Sequence, residues 1–179
     1  MRSTDLLMQD HKIILRSLDV LEEMAAKVGN RVYLDPKDVE AMLHFLRVFD
    51  DEHHQTKEET ALFPQLMQSA PAEERSLRQM LFEHDQERSL VEGLEDALRT
   101  ANDADFIGYA HRLSAILRNH IYKEDNILFD IVEKCLSKQQ DEKVAREFED
   151  FDRDFGIQKR RELIDSLRRL EWKYIRKSA

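Results

Sequence analysis

The sequence predicts an all-α protein: an up-down-up-down antiparallel four-helix bundle with additional C-terminal helices. Three observations carry this. Four glycines and three prolines in 179 residues, with 36% of side chains charged, leave few tight turns and favour long helices. Apolar residues recur in steps of three and four along four successive stretches, the spacing of one buried helix face. The breaks between those stretches are short, so consecutive helices should pack in opposite directions. Residues 1–137 form the bundle on this reading, and residues 138–179 form a helical extension packed on it.

Ser3 or Thr4 caps the first helix, with Asp5 in its first turn, and the helix runs to about Val28. Its inward stripe is Leu7, His11, Ile14, Leu18, Leu21, Ala25 and Val28. Gly29 and Asn30 end it, because both tolerate positive φ. Asp35-Pro36 is a cap and first helical residue for a second helix to about Gln68. Its stripe reads Leu43, Leu46, Asp50, His54, Glu58, Leu62 and Leu66, and Pro64 is expected to kink or interrupt it.

A break at Ser69-Ala70-Pro71 precedes a third helix from about Ala72 to Arg99. Its stripe is Leu77, Leu81, His84, Arg88, Val91, Leu94 and Leu98. After Ala101-Asn102-Asp103, a fourth helix runs from about Ala104 to Leu136, with Phe106, Ala110, Leu113, Leu117, His120, Glu124, Ile127, Ile131 and Cys135 inward. Two more helices follow, to about Asp154 and, beyond Gly156, to near Lys177. Phe148, Phe151 and Phe155 supply the first of these with a face for docking on the bundle.

The polar residues on these stripes carry the functional signal. His54 and Glu58 stand four residues apart, one turn along the same face, and His120 and Glu124 repeat the spacing. Each pair is followed shortly by Leu-Phe. At ~1.5 Å per residue, His11 lies roughly 12 Å from one end of the bundle, His54 and Glu58 roughly 21 and 15 Å, His84 roughly 18 Å, and His120 and Glu124 roughly 24 and 18 Å. Six polar groups therefore share one layer of the core. Unpaired polar groups cost several kcal/mol in an apolar interior, and metal coordination is the compensation this set offers.

Four histidines and two glutamates divide into two sets of two His and one carboxylate, a donor set that suits ferrous iron. Two carboxylates can also bridge two metals, and zinc and manganese stay open. Glu59 and Asp125 are the alternative carboxylates. Asp50 and Asp51 either orient imidazoles or are solvated, and Glu83 could orient beside His84. His53 reads as structural or surface, His44 and His111 as off the stripe, Lys57 and Lys123 as outward, Tyr122 as off the face of the site, and Cys135 as a small core residue.

A net charge of -9 argues against nucleic acid and membrane surfaces as general partners. The basic stretch from Ile157 onward could lie across the acidic bundle or mediate self-association as a homodimer. One cysteine, no apolar run long enough to span a bilayer and no leader pattern point to a cytoplasmic protein.

Taken together, Asp10-His11, His53-His54-x-x-Lys57-Glu58-Glu59 with Leu62-Phe63-Pro64, Glu83-His84, and His120-x-x-Lys123-Glu124-Asp125-Asn126-x-Leu128-Phe129 resemble the hemerythrin-like (HHE cation-binding) domain over about residues 5 to 135. The C-terminal helices resemble those of longer bacterial and archaeal members. The resemblance implies two iron ions in a non-haem di-iron centre held by His11, His54, Glu58, His84, His120 and Glu124, with dioxygen, peroxide or nitric oxide as the small ligand and a separate redox or signalling partner.

Oxygen-carrying hemerythrins have a fifth histidine, four residues from another on the third helix; here those positions are Met80 and Arg88. The expected function is thus binding or sensing of a small ligand at an open site, with redox turnover included. The alternatives are iron storage or delivery, including iron-sulfur repair, and a zinc-bound structural bundle.

Overall fold

The structure is a computed structural model that describes residues 2–176. It is all-helical, and its helical segments form six rods among the described residues. The expected helix end at Lys177 lies outside the described residues.

α1 spans Ser3–Gly29. α2 is one rod assembled from Pro36–Phe45, Leu46–Gln55, Glu58–Leu62 and Phe63–Ser69, and a single 3₁₀ turn, Pro71–Glu73, follows it. α3 spans Glu74–Arg99. α4 joins Asp103–Lys123, Glu124–Leu128 and Phe129–Cys135. α5 spans Lys138–Phe155, and α6 joins Ile157–Glu171 to Trp172–Arg176.

The ends follow local chemistry. Asp35 accepts from the backbone of Lys37, Asn102 from Asp105, and Ser137 exchanges a reciprocal pair of bonds with Gln140. At the start of α1 the expected Ser or Thr cap is replaced. Asp5 accepts from the backbone of Arg2, and Asp141 of α5 accepts from both the backbone and hydroxyl of Ser3. α1 includes Gly29 and closes through Arg31, which takes the left-handed conformation (φ 56°) expected of Gly29 or Asn30. Gly156 (φ 100°) makes the corner between α5 and α6, where a side chain would be strained.

The Leu46–Gln55, Glu58–Leu62 and Glu124–Leu128 stretches are π-helical. They explain a feature of the α2 stripe. In a straight α-helix each four-residue step overshoots a full turn by about 40°, so five in a row would rotate off the core. Wider i→i+5 turns absorb the overshoot, and Leu46, Asp50, His54, Glu58, Leu62 and Leu66 all stay buried. Pro64 does not interrupt the rod. Its missing N–H falls just beyond a π turn, where the bonding pattern is already changing, and the helix runs through it.

The same device corrects the α4 stripe. The π turn from Glu124 inserts one residue, so Leu128 and Val132 face inward, while Ile127 and Cys135 are exposed. In α3 the inward stripe is Leu77, Met80, His84, Glu87, Val91 and Leu94. Leu81 is on the surface and Arg88 at the rim.

The core is two apolar clusters with a polar layer between them. One contains Ile14, Leu18, Phe49, Val91, Leu117 and Ile121 and extends to Leu163, Leu167 and Tyr174 of α6. The other contains Leu7, Leu62, Leu66, Leu77, Leu128 and Val132, closed by Val144 and Phe148 of α5. Each of the first four rods passes from one cluster to the other through its polar residues. α3 and α4 approach closely enough that a Cβ on Gly93 would lie 2.9 Å from the Tyr109 ring.

Candidate metal centre

All six residues expected at the site converge. His11, His54, Glu58 and Glu124 form one group of potential ligand atoms within 4.8 Å of one another, and Glu58, His84, His120 and Glu124 form a second. All are buried; His11, His84, Glu58 and Glu124 are fully inaccessible. Of the two arrangements the sequence left open, one carboxylate per histidine pair or carboxylates shared between pairs, the distances match sharing. Glu58 places Oε1 3.7 Å from Nε2 of His54 and Oε2 3.5 Å from Nε2 of His84. Glu124 places Oε2 3.2 Å from Nε2 of His11 and Oε1 3.2 Å from Nε2 of His120. Each glutamate spans the two histidine pairs.

The histidines present Nε2 inward because a carboxylate stands behind most of them. Nδ1 of His11 donates to Asp125 (2.7 Å), Nδ1 of His84 to Glu59 (2.7 Å) and Nδ1 of His120 to Glu83 (2.9 Å). Asp10 Oδ2 lies 3.8 Å from Nδ1 of His54. These four carboxylates are chain neighbours of ligand candidates, yet each serves a histidine on another rod. Glu59 and Asp125 are therefore orienting groups in this geometry, and Glu83 orients His120 rather than His84. Such support sets tautomer, ring direction and basicity.

The arrangement repeats about the middle of the bundle. Phe129 stacks on His11 and Phe63 on His84, at 5.6 and 5.9 Å between ring centres. Lys57 binds Asp10 at 2.6 Å, and Lys123 binds Glu83. Neither lysine points freely outward as expected; Lys57 is buried and Lys123 is half-buried.

Electrostatics show what the layer can hold. Burial works against the charged imidazolium. Even so, Asp125 and Glu124 push His11 up to about 10, and Glu58 and Glu59 push His84 up to about 9. Burial would raise Glu124, but His120 and His11 hold it well below the usual carboxylate range. Despite this, all four oxygens of Glu58 and Glu124 lack a hydrogen-bond donor. Nε2 of His11 is 3.0 Å from Nε2 of His54, and the His84–His120 pair repeats this at 3.1 Å.

With Nδ1 donating to a carboxylate, a neutral imidazole keeps its lone pair on Nε2, and two lone pairs this close repel unless a proton or cation lies between. Two nitrogens each about 2.1 Å from one ion and at right angles lie about 3 Å apart. The donor set, the orphaned oxygens and the nitrogen spacing all fit metal ions.

His53 is fully buried against Phe49, Phe151 and Phe155, and its Nε2 donates to Asp152 of α5 at 2.7 Å. It stands outside both ligand groups. His44 and His111 are exposed, as is Tyr122. Asp51 is bound by Arg88 (2.7 Å), and Asp50 contacts none of the imidazoles through a hydrogen bond.

Sequence reasoning passed over Glu87. It is buried 4.0 Å from His120 Nδ1 and receives Gln55 Nε2 at 2.7 Å. Burial pushes its carboxyl up to about 7, and burial with Glu87 as neighbour raises Asp50 well above its ordinary value. The signal for Glu87 was its place three residues after His84, one turn along the same face.

No helix among the described residues is long and apolar enough to cross a membrane. Searches of curated proteins and of solved structures each gave no match. The model of the hemerythrin HHE cation-binding domain matches residues 2–132, the stretch that contains all six convergent residues. A metal-ready layer inside a helical bundle and this match together place the chain in the hemerythrin HHE cation-binding domain family.

Proposed function

We propose that the chain is a non-haem di-iron protein that binds or senses dioxygen, peroxide or nitric oxide, with His11, His54, Glu58, His84, His120 and Glu124 as the iron ligands. The observation that carries this reading is that both buried glutamates span two convergent histidine pairs. His11 and His54 would hold one ion, His84 and His120 the other, and each glutamate would give one oxygen to each. Two carboxylates against two divalent ions leave a net positive site that favours small anionic or reducible ligands. When bound, the irons supply open coordination positions and one-electron chemistry toward such a ligand.

The protein's own contribution is orientation and exclusion. Asp125, Glu59 and Glu83 fix three imidazoles by accepting from Nδ1. Phe129 and Phe63 cover the outer faces of His11 and His84, and Leu62, Leu66 and Leu128 seal one side of the layer. A buried layer of this kind admits a diatomic molecule more readily than a larger reductant. The pairings of Glu83 with Lys123, His84 with His120 and Gly93 with Tyr109 support opposite directions for α3 and α4. We read the first four rods as up-down-up-down, residues 1–137 as the metal-binding bundle and 138–179 as its extension. The exposed free thiol of Cys135 suits the reducing cytoplasm.

Iron-loaded protein prepared without oxygen and then exposed separately to dioxygen, hydrogen peroxide and nitric oxide tests the ligand. A new absorption band with at least one of them is expected. Silence toward all three, with iron in place, contradicts the functional reading.

A further inference from the structure

A cavity of about 260 Å³ opens between α2 and α3 beside the metal layer. Its walls grade inward from exposed Glu52 and Glu92 to buried Asp50, Gln55 and Glu87. Three oxygens of that inner group lack any hydrogen-bond donor: Asp50 Oδ1, Gln55 Oε1 and Glu87 Oε1. The two arginines on the walls are already paired, one of them with the wall residue Asp51. Arg47 pairs with Glu95, and Arg88 with Asp51, Glu59 and Asp85. Gln55 spends its amide N–H on Glu87, which leaves its carbonyl facing the same space as the carboxylates.

The other half of the centre carries apolar residues at the same chain offsets from its histidines. Asp50 is four residues before His54, and the residue four before His120 is Ile116. Gln55 follows His54, and Ile121 follows His120. Glu87 is three residues after His84, and Ile14 is three after His11. All three residues at these offsets are isoleucine, buried at Ile14 and Ile121 and partly buried at Ile116. This half instead holds two buried carboxylates and an amide oxygen, and an uncompensated set of that kind is costly to bury. Hard divalent cations take oxygen donors of this type with the remaining positions left to water. Glu87 Oε1 also lies 4.0 Å from Nδ1 of His120, behind the ring whose Nε2 faces the metal layer, so the inner wall of the cavity borders that layer.

We propose that Asp50, Gln55 and Glu87 form a third, weaker divalent-cation site through which metal ions reach the buried His/Glu layer. The route rests on the di-iron reading; the site itself does not. At the mouth Glu92 and Glu52, the latter 3.7 Å from Lys159 Nζ, collect cations, the inner oxygens strip part of their water, and Glu87 stands last before the layer. An acidic funnel of this type raises local cation concentration and capture rate.

The test is titration of the metal-free full-length chain with Mn²⁺ under nitrogen, following free Mn²⁺ by electron paramagnetic resonance and loading by stopped flow. The wild type should take up two tight ions and one weaker ion. Asp50→Asn/Glu87→Gln should lose the weaker ion, keep the two tight ones and load them about tenfold or more slowly. Both changes are isosteric and remove buried charge, so the metal-free variant should melt no lower than the wild type. Asp50→Asn alone provides the same readout should the double variant fail to fold.

A wild type that takes only the two tight ions, or a variant that keeps the third, overturns the site. Loss of the third ion with unchanged loading overturns the route. Glu58→Gln/Glu124→Gln separates the two readings, because it should lose the tight ions and still bind the weaker one. A wild type that binds only a single weak ion, lost in Asp50→Asn/Glu87→Gln, would sustain the new site while refuting the di-iron centre.

Discussion

Glu83 precedes His84 in the chain, yet its carboxylate accepts from Nδ1 of His120, 2.9 Å away on the next rod. Burial would raise Glu83, and His120 with Lys123 holds it down at about 2, so it is ionised and can only accept. Glu83→Gln should therefore weaken metal binding by about 10–100-fold, the usual cost of losing such an orienting carboxylate. Competition with a calibrated chelator measures this, and the effect should fall on one of the two ions.

The ring of Phe129 stacks on His11 with the planes 5° apart and belongs to the cluster that floors the layer. Phe129→Ala should lower stability by about 3–5 kcal/mol, as removal of a buried aromatic ring does. Urea unfolding of the metal-free protein gives this number free of any change in metal affinity.

Lys57 joins α2 to α1 and α5 through Asp10 (2.6 Å) and Asp152 (3.4 Å), and Arg160 of α6 reaches Asp10 at 2.7 Å. Asp10 is buried, and His54, Lys57 and His53 hold it well below the carboxylate range against that burial. Lys57→Met should cost about 3 kcal/mol, the lower end for a broken buried pair, because Arg160 still compensates Asp10. It should also loosen the hold of α5. Amide exchange that speeds up first and most in α5, ahead of the rest of the bundle, is the expected pattern.

Protons compete with the metal. In the metal-free protein His11 and His84 titrate at about 10 and about 9, above their ordinary 6.5. Raised histidines contribute stability that is complete below about 6.5 and lost as pH rises through 9 to 10. The metal-free Tm should thus fall across that window. Metal uptake must expel the same protons, so the gain in Tm on adding metal should grow from pH 6.5 to 9. Thermal melts with and without metal at three pH values check both signs.

The all-helical class and the six convergent residues were legible because helical periodicity is a local property. His11, His54, Glu58, His84, His120 and Glu124 all lay on stripes that apolar neighbours defined. What escaped the sequence depended on the exact turn. Four-residue steps from Leu77 and from His84 picked Leu81 and Arg88, where the helix turns Met80 and Glu87 inward, each one position away. The π turn after Glu124 moved the inward residues from Ile127 and Ile131 to Leu128 and Val132, a shift that no 3.6-residue pattern contains.

Of the four orienting carboxylates the sequence marks only Glu83 as one; Glu59 and Asp125 stand there as alternative ligands, Asp10 only as part of the family motif, and the orienting role is given to Asp50 and Asp51 instead. The partners of the four lie across helix interfaces, so chain adjacency assigned Glu83 to the wrong histidine. Lys57 was expected outside because nothing in the bundle sequence announces that α5 and α6 cover it.

The central claim is that two glutamates shared between two histidine pairs hold two metal ions. Reconstitution of the metal-free chain with ferrous iron under nitrogen, followed by metal analysis of the wild type and of Glu58→Gln/Glu124→Gln, tests it most directly. The account predicts two irons per wild-type chain and loss of both in the variant. One iron or none in the wild type, or two retained in the variant, would contradict it.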